Sequence, residues 1–388
     1  MNVPSETRGA GRLTAWTLPL ALFFAVTVEM APSGSLEHIA KAFGSDIGTA
    51  AAGSSLYALS TAVMALPLSA LAQRFDLRPA AILTAGVFTA LGLATSAAPD
   101  VSTYLILRTI QGAAHGAFFP LVLSLAAAAS PNSTGKATAR VLLGNGCALA
   151  LGVPAAEALS SFDWRIPVAL ASCGVFAAMV YAPQPQAGTA PAANSSKAGS
   201  NGSFVPIALI LAVALAGHFS YYTFLAPLAA REGTQPSLVL AAYGGAVIIA
   251  TALSGRLAGK RRLHRALLVM VAEAAILACA AAFAGPVVVF ATAVMAGACF
   301  GLLPTLIQSE ILDRSLGNQT IASGAAVVAF NAGIAAGSAS GATLVDTSIQ
   351  APALVGACLL GLSAIMLGFA RRKKKTPEPA ISNSAAIH

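Results

Sequence analysis

Two ionisable residues, Glu29 and Arg108, lie inside apolar runs where a charge is expensive to hold, and this makes each a functional candidate by default. Glu29 falls about fifteen residues along the first run and Arg108 about seven along the fourth, entering from the opposite side. At ~1.5 Å per residue the depths are ~22 Å and ~10 Å, which nearly coincide in a hydrocarbon core ~30 Å thick. Desolvation and a neighbouring cation act on a carboxyl group in opposite senses. A conformational change that alters either one can therefore load or unload a proton. A salt bridge that only ties two helices together is the competing reading.

The remaining polar groups within apolar runs are His218, a ring that titrates near neutral pH or packs through hydrogen bonds, and His115, on the same run as Arg108. Glu157 lies near a membrane interface, where water can reach it, and Glu273 lies midway along the ninth run with no role assigned. Gln111, Tyr221, Tyr222 and Asn331 are cavity-lining candidates, with helix packing as the alternative for the aromatics. Five cysteines sit in apolar runs without paired spacing, which suits small buried residues better than disulfides or a metal site. There is no Gly-x-x-x-x-Gly-Lys-Ser/Thr phosphate loop and no His-Glu-x-x-His pair, so an ATP-driven pump and a zinc protease are both excluded.

The elements that must position these residues follow from composition. Of 388 residues, 57% are hydrophobic and 9% charged, with mean hydropathy +0.77. A soluble chain carries about 25% charge. The apolar runs predict an all-α membrane protein of twelve transmembrane helices: Thr14–Gly34, Thr49–Ala72, Pro79–Ala97, Val101–Ala127, Ala137–Leu159 and Trp164–Tyr181, then Phe204–Ala229, Leu238–Ala258, Arg265–Ala284, Val287–Ile311, Ile321–Val345 and Ala351–Ala370. The first is too long for a signal core and reads as retained. Residues 1–182 form one six-helix bundle and 204–370 another. They are joined by a Pro/Ala/Ser/Gly-rich linker at 183–203 and followed by a basic, then polar, tail at 371–388 that reads as disordered.

With both termini in the cytoplasm, inside segments hold 18 Lys and Arg and outside loops only three, Lys41, Arg165 and Arg231. The asymmetry predicts that topology. It also assigns the net charge of +8 to the membrane surface: the partners of the basic clusters are anionic lipids and not nucleic acid.

The chain also repeats. Ser69–Arg74 at the end of the second run is echoed 186 residues later by Gly255–Lys260, and Gly112, Gly116 and Pro120 are echoed at nearly the same offset by Gly297, Gly301 and Pro304. Parallel six-helix repeats suggest two bundles that rock about a central site.

At these residues the chain resembles the major facilitator superfamily. Ser69-Ala70-Leu71-Ala72-Gln73-Arg74-Phe75-Asp76-Leu77-Arg78 is similar to the family's Gly-x-Leu-Ala-Asp-Arg-x-Gly-Arg-Arg loop, with Ser69, Gln73 and Asp76 where the family has Gly, Asp and Gly. Arg108-Thr109-Ile110-Gln111-Gly112 is similar to its Arg-x-x-Gln-Gly, and Gly152-Val153-Pro154 to the Gly-Pro element of drug–proton antiporters. Gly217-His218-Phe219 with Tyr222, and Asn331 with Gly333, Gly337 and Gly341, resemble the arabinose/sugar and drug efflux branch.

The resemblance implies the major-facilitator fold, a central cavity lined by the first and fourth helices, and proton coupling through Glu29, Arg108 and His218. It implies a cytoplasmic latch at Arg74, Asp76 and Arg78, with plain topological anchoring as the alternative, and a leak seal at Gly152 and Pro154, with a packing kink as the alternative. The implied function is proton-driven efflux of a small organic solute by a monomer in the bacterial inner membrane, with no cofactor beyond the proton gradient. Import of a nutrient by proton symport, or dedicated export of a siderophore or other metabolite, stay open.

Overall fold

A chain this apolar cannot leave backbone amides bare in lipid, and helices satisfy them internally. The computed structural model describes residues 5–72, 74–130, 134–185, 204–257, 259–314 and 319–373. Most of the expected linker and tail lie outside the described residues. Among the described residues, eleven helical stretches are long and apolar enough to cross a membrane. The shorter Arg165–Val180 makes the twelfth crossing, 16 residues and so about 24 Å long.

The first half contains α1 (Ser5–Gly34), α2 (Leu36–Phe43), α3 (Ile47–Ala72), α4 (Leu77–Ser96), α5 (Val101–Ala129), α6 (Thr134–Cys147), α7 (Val153–Ser160) and α8 (Arg165–Val180). The second contains α9 (Val205–Tyr222), α10 (Leu225–Arg231), α11 (Pro236–Leu257), α12 (Arg262–Ala282), α13 (Pro286–Asp313), α14 (Gln319–Ala342) and α15 (Ala351–Lys373). The last helix runs three residues beyond the expected Ala370, into the basic tail. α6 and α7 form one crossing through a π-helical turn at Ala148–Gly152, just ahead of Pro154. A π turn accommodates the backbone donor that proline lacks.

The short α2 was not legible as a run. It buries Leu36, Ile39 and Ala40 beside Tyr104, Trp164 and Phe224 on the face opposite the start of α1, here called the far face. Gly44 ends it at φ 60°, a left-handed conformation that glycine adopts without strain.

Paired glycines set the same helix crossing in both halves. A Cβ on Gly112 of α5 would strike the Tyr57 carbonyl of α3, and one on Gly116 would meet Thr61 O and Ala65 N. A Cβ on Gly297 of α13 would strike the Tyr243 carbonyl of α11, and one on Gly301 would meet Val247 O and Thr251 N. Each α3 partner and its α11 counterpart are 186 residues apart, so the sequence echo is also a packing echo.

The halves meet along two seams, α3 with α14 and α11 with the π turn and α7. Gly244 of α11 lies against the backbone of Leu149 and Ala150 in the π turn, and Gly48 of α3 against Ala342 O of α14.

On the far face, Asp346 of the second half accepts backbone bonds from Ile47 and Gly48 at the start of α3 and reaches the Asp46 carboxyl. Glu37, Arg231 and Glu232 line the same cleft of about 600 Å³. Burial, then the charge of Asp46, holds the Asp346 carboxyl above its ordinary range, while bonds from Thr49 hold Asp46 below it. A carboxyl raised in the closed contact binds its proton more tightly there than when the halves part. The contact is therefore favoured at low pH and weakens as pH rises through the raised value. Spin labels at Lys41→Cys and Thr347→Cys, with the native cysteines replaced, should show more separated halves on going from about pH 4 to about pH 7. Asp346→Asn should flatten that response.

Candidate functional site

In the first half, Arg108 is fully buried and is directed onto α1 by a gap in that helix's own bonding. Pro32 has no N–H to give the Val28 carbonyl one turn earlier. Arg108 Nη1 donates to Val28 O at 3.1 Å and to Gln111 Oε1 at 3.2 Å, and Nη2 donates to Glu29 O at 3.0 Å. Its guanidinium carbon lies 4.1 Å from the centre of the Tyr57 ring. Glu29 and Arg108 thus share one depth, but the contact runs through the main chain of Glu29. The Glu29 carboxylate instead turns towards His115, with Oε2 3.7 Å from Nδ1, and keeps 11% of its side chain exposed. Tyr57 Oη lies 2.6 Å from the same His115 nitrogen. Arg108 and His115 stand seven residues apart on α5, two turns, so both face α1.

A second polar cluster lies in the second half. His218 of α9 bonds through Nδ1 to Glu273 Oε1 of α12 at 2.5 Å and through Nε2 to Tyr243 Oη of α11 at 2.7 Å. His218 is 1% exposed and Glu273 0%. Phe300 of α13 stacks on the imidazole with ring centroids 4.5 Å apart. Tyr243 stands 186 residues after Tyr57, so the tyrosines are repeat equivalents. Phe300 follows Gly297 by three residues as His115 follows Gly112. Each half therefore sets one histidine beside its equivalent tyrosine, from different helices. Tyr222 lies between the clusters. Its ring is 4.8 Å from that of Tyr243, its buried hydroxyl has no partner among the described residues, and it lies within electrostatic range of Glu29.

The other candidates occupy the packing around these clusters. Gln111 is fully buried and also donates to Phe88 O of α4 at 3.4 Å, Tyr221 Oη pairs with Thr292 at 3.1 Å, and Asn331 donates to Val327 O at 3.1 Å. Gly152 faces Thr27 of α1 within its own half, and the neighbouring Leu149 and Ala150 meet the second half. Glu157 of α7 is largely buried, its Cβ close to Gly34.

On the face where α1 begins, Arg78 donates to Ala182 O and Val180 O at 3.0 Å each, closing the end of α8. Arg74 and Asp76 are exposed there. The denser ionic network on this face belongs to the second half: Glu310 accepts from Arg262 and Arg314 at 2.7 Å each, and Arg262 also pairs with Asp313. Among the described residues no group of His, Cys, Asp and Glu is arranged to hold a metal ion, and all five cysteines are free.

Tyr57, Tyr243 and Glu310 were not singled out from sequence, while His115 and Glu273 were named there as polar groups within apolar runs but given no role. The 186-residue spacing was a usable signal for the tyrosines, and the four-residue spacing to Arg314 for Glu310.

A family model described as Major Facilitator Superfamily matches residues 18–326. The inner membrane transport protein YdhP of Escherichia coli O157:H7 is 30% identical over 387 residues, covering 95% of this chain and 98% of that one. A chloramphenicol efflux pump of Mycobacterium tuberculosis strain H37Rv is 26% identical over 376 residues, covering 89% of each. Among solved structures, a mutant of the peptide transporter POT superposes with a TM-score of 0.72 at 14% identity, over 92% of this chain and 94% of that one, a likeness of fold.

Proposed function

The chain belongs to the major facilitator superfamily, and from that premise we propose that it is a proton-coupled exporter of a small organic solute, with Glu29 as the proton carrier. It is a multi-pass membrane transporter. The reading places it in the bacterial inner membrane with both termini cytoplasmic, working as a monomer and driven by the proton gradient alone. The solute class is a drug, sugar or secreted metabolite, since few charges lie within the membrane-crossing stretches.

The observation that carries the reading is the division of labour around Glu29. Its main-chain carbonyl is fixed by Arg108. Its carboxylate is left partly exposed beside His115. The guanidinium is thus a stationary charge, and what changes between conformations is the water or solute around the carboxylate. When the cavity opens outward, the carboxylate takes a proton from that side. When it opens inward, cytoplasmic water reaches the carboxylate, the proton leaves to that side as solute binds, and the negative charge left behind is balanced by Arg108. Tyr57 holds His115 in place through its hydroxyl, which keeps a hydrogen-bonding nitrogen beside the carboxylate.

Because a relative is described as a chloramphenicol efflux pump, chloramphenicol is the first probe. In everted vesicles with a pH-sensitive dye, its addition is expected to release protons from the lumen only when the protein is present. No solute-induced proton movement by a chain that moves chloramphenicol would overturn antiport.

A further inference from the structure

We propose that His218, Glu273 and Tyr243 form a second proton-binding site, in the second half and separate from Glu29. The inference rests on the proton-coupled reading above and extends it to a second residue set, of which only His218 was a proton-coupling candidate from the sequence.

The geometry allows the trio to hold its bonds in two protonation states. With a neutral imidazole, Nδ1–H donates to the Glu273 carboxylate and the Tyr243 hydroxyl donates to Nε2. With one proton more, Nε2–H donates to the Tyr243 oxygen, because a hydroxyl serves as donor or acceptor by rotating. The first state carries one net negative charge and the second none. The proton added at Nε2 is the only atom exchanged, and no bond to a heavy atom is made or broken. In a dry interior the neutral pair is favoured over an isolated charge. Water reaching Tyr243 from the space between the halves favours release of the proton. The face of Phe300 on the imidazole favours the cationic ring.

Two further observations separate this from a static packing network. Glu273 Oε2 is buried with no hydrogen-bond partner among the described residues, whereas fixed polar networks normally satisfy each buried oxygen. The Tyr222 hydroxyl, stacked against the same imidazole, is also unpartnered and buried, and stands on the side facing Glu29. Among the described residues, the titratable groups facing the trio are Tyr222 of α9 and Cys299 of α13, with Phe300 of α13, Phe330 of α14 and Leu360 of α15 completing the packing, and Glu29 of α1 lies within electrostatic range of Tyr222.

The test is a pH titration of the full chain, labelled with 15N-histidine, in lipid nanodiscs. The sequence has five histidines, and His218 is assigned as the ring signal missing from His218→Gln. The expected result is that the His218 ring passes from neutral to imidazolium as pH falls from about 9 to about 5, in the wild type and equally in Glu29→Gln. In Glu273→Gln, which removes the negative partner, the ring is expected to stay neutral throughout. A His218 ring in one protonation state over the whole range in the wild type overturns the proposal, whether or not any variant folds. So does a titration that Glu273→Gln leaves unchanged. The Glu29 reading is tested separately: it fails if Glu29→Gln retains coupled transport, and that result leaves the His218 titration standing.

Discussion

Replacing Glu29 by glutamine is expected to abolish uphill, proton-driven transport while leaving the protein folded and inserted at its normal level. Glutamine has nearly the same shape but cannot exchange a proton near neutral pH. The contribution of residue 29 to packing is made by its main-chain carbonyl, which Arg108 holds and which the substitution keeps. A gradient of one pH unit supplies about 1.4 kcal/mol per proton, or about tenfold in solute concentration. In everted vesicles energised with a known pH gradient, the wild type should accumulate chloramphenicol in proportion to that gradient. Glu29→Gln should equilibrate it without accumulation, while exchange down a concentration gradient persists. Equal accumulation by both would remove Glu29 from the coupling mechanism. A loss of expression would instead point to a structural role for the carboxylate.

The membrane topology was easier to read from this chain than its chemistry, and the reason is physical. Crossing a membrane takes about twenty apolar residues in succession, a local property, so eleven of the twelve crossings stand out by length and composition. The glycines of α5 and α13 were visible as an echo because close backbone approach admits little else. Which polar side chains meet depends on helix rotation, which weak amphipathicity in lipid-facing helices leaves undetermined. Glu29 and Arg108 shared a depth in the sequence, yet their meeting through main-chain carbonyls was hidden because it depends on Pro32 opening the Val28 bond. Glu273 had no account because its partner is on α9, 55 residues earlier, and only the packing of α12 against the bundle brings them together. The short α2 was missed because eight residues with three buried positions do not register as a run.

Arg108 yields the other large expected effect, and its two roles can be separated. The side chain is fully buried, satisfies the carbonyl that Pro32 leaves open, and supplies the fixed positive charge beside Glu29. Arg108→Gln removes both. It leaves Val28 O without its donor, at roughly 1–3 kcal/mol for an unmet buried acceptor. It also leaves the carboxylate of Glu29 without the nearby cation, which raises the cost of holding that charge in the membrane. The carboxyl group then avoids that cost by staying protonated, which stops the cycle. Arg108→Gln should therefore be inactive in uphill transport and unfold at a clearly lower temperature in detergent. Adding Glu29→Gln removes the unbalanced charge but cannot restore the donor to Val28 O. The double variant should recover part of the lost thermal stability and none of the transport, a non-additivity of about 1–3 kcal/mol between the two sites. Strictly additive losses in stability would show that the guanidinium serves only the α1 carbonyls, and would leave Glu29 to carry its proton without an electrostatic partner.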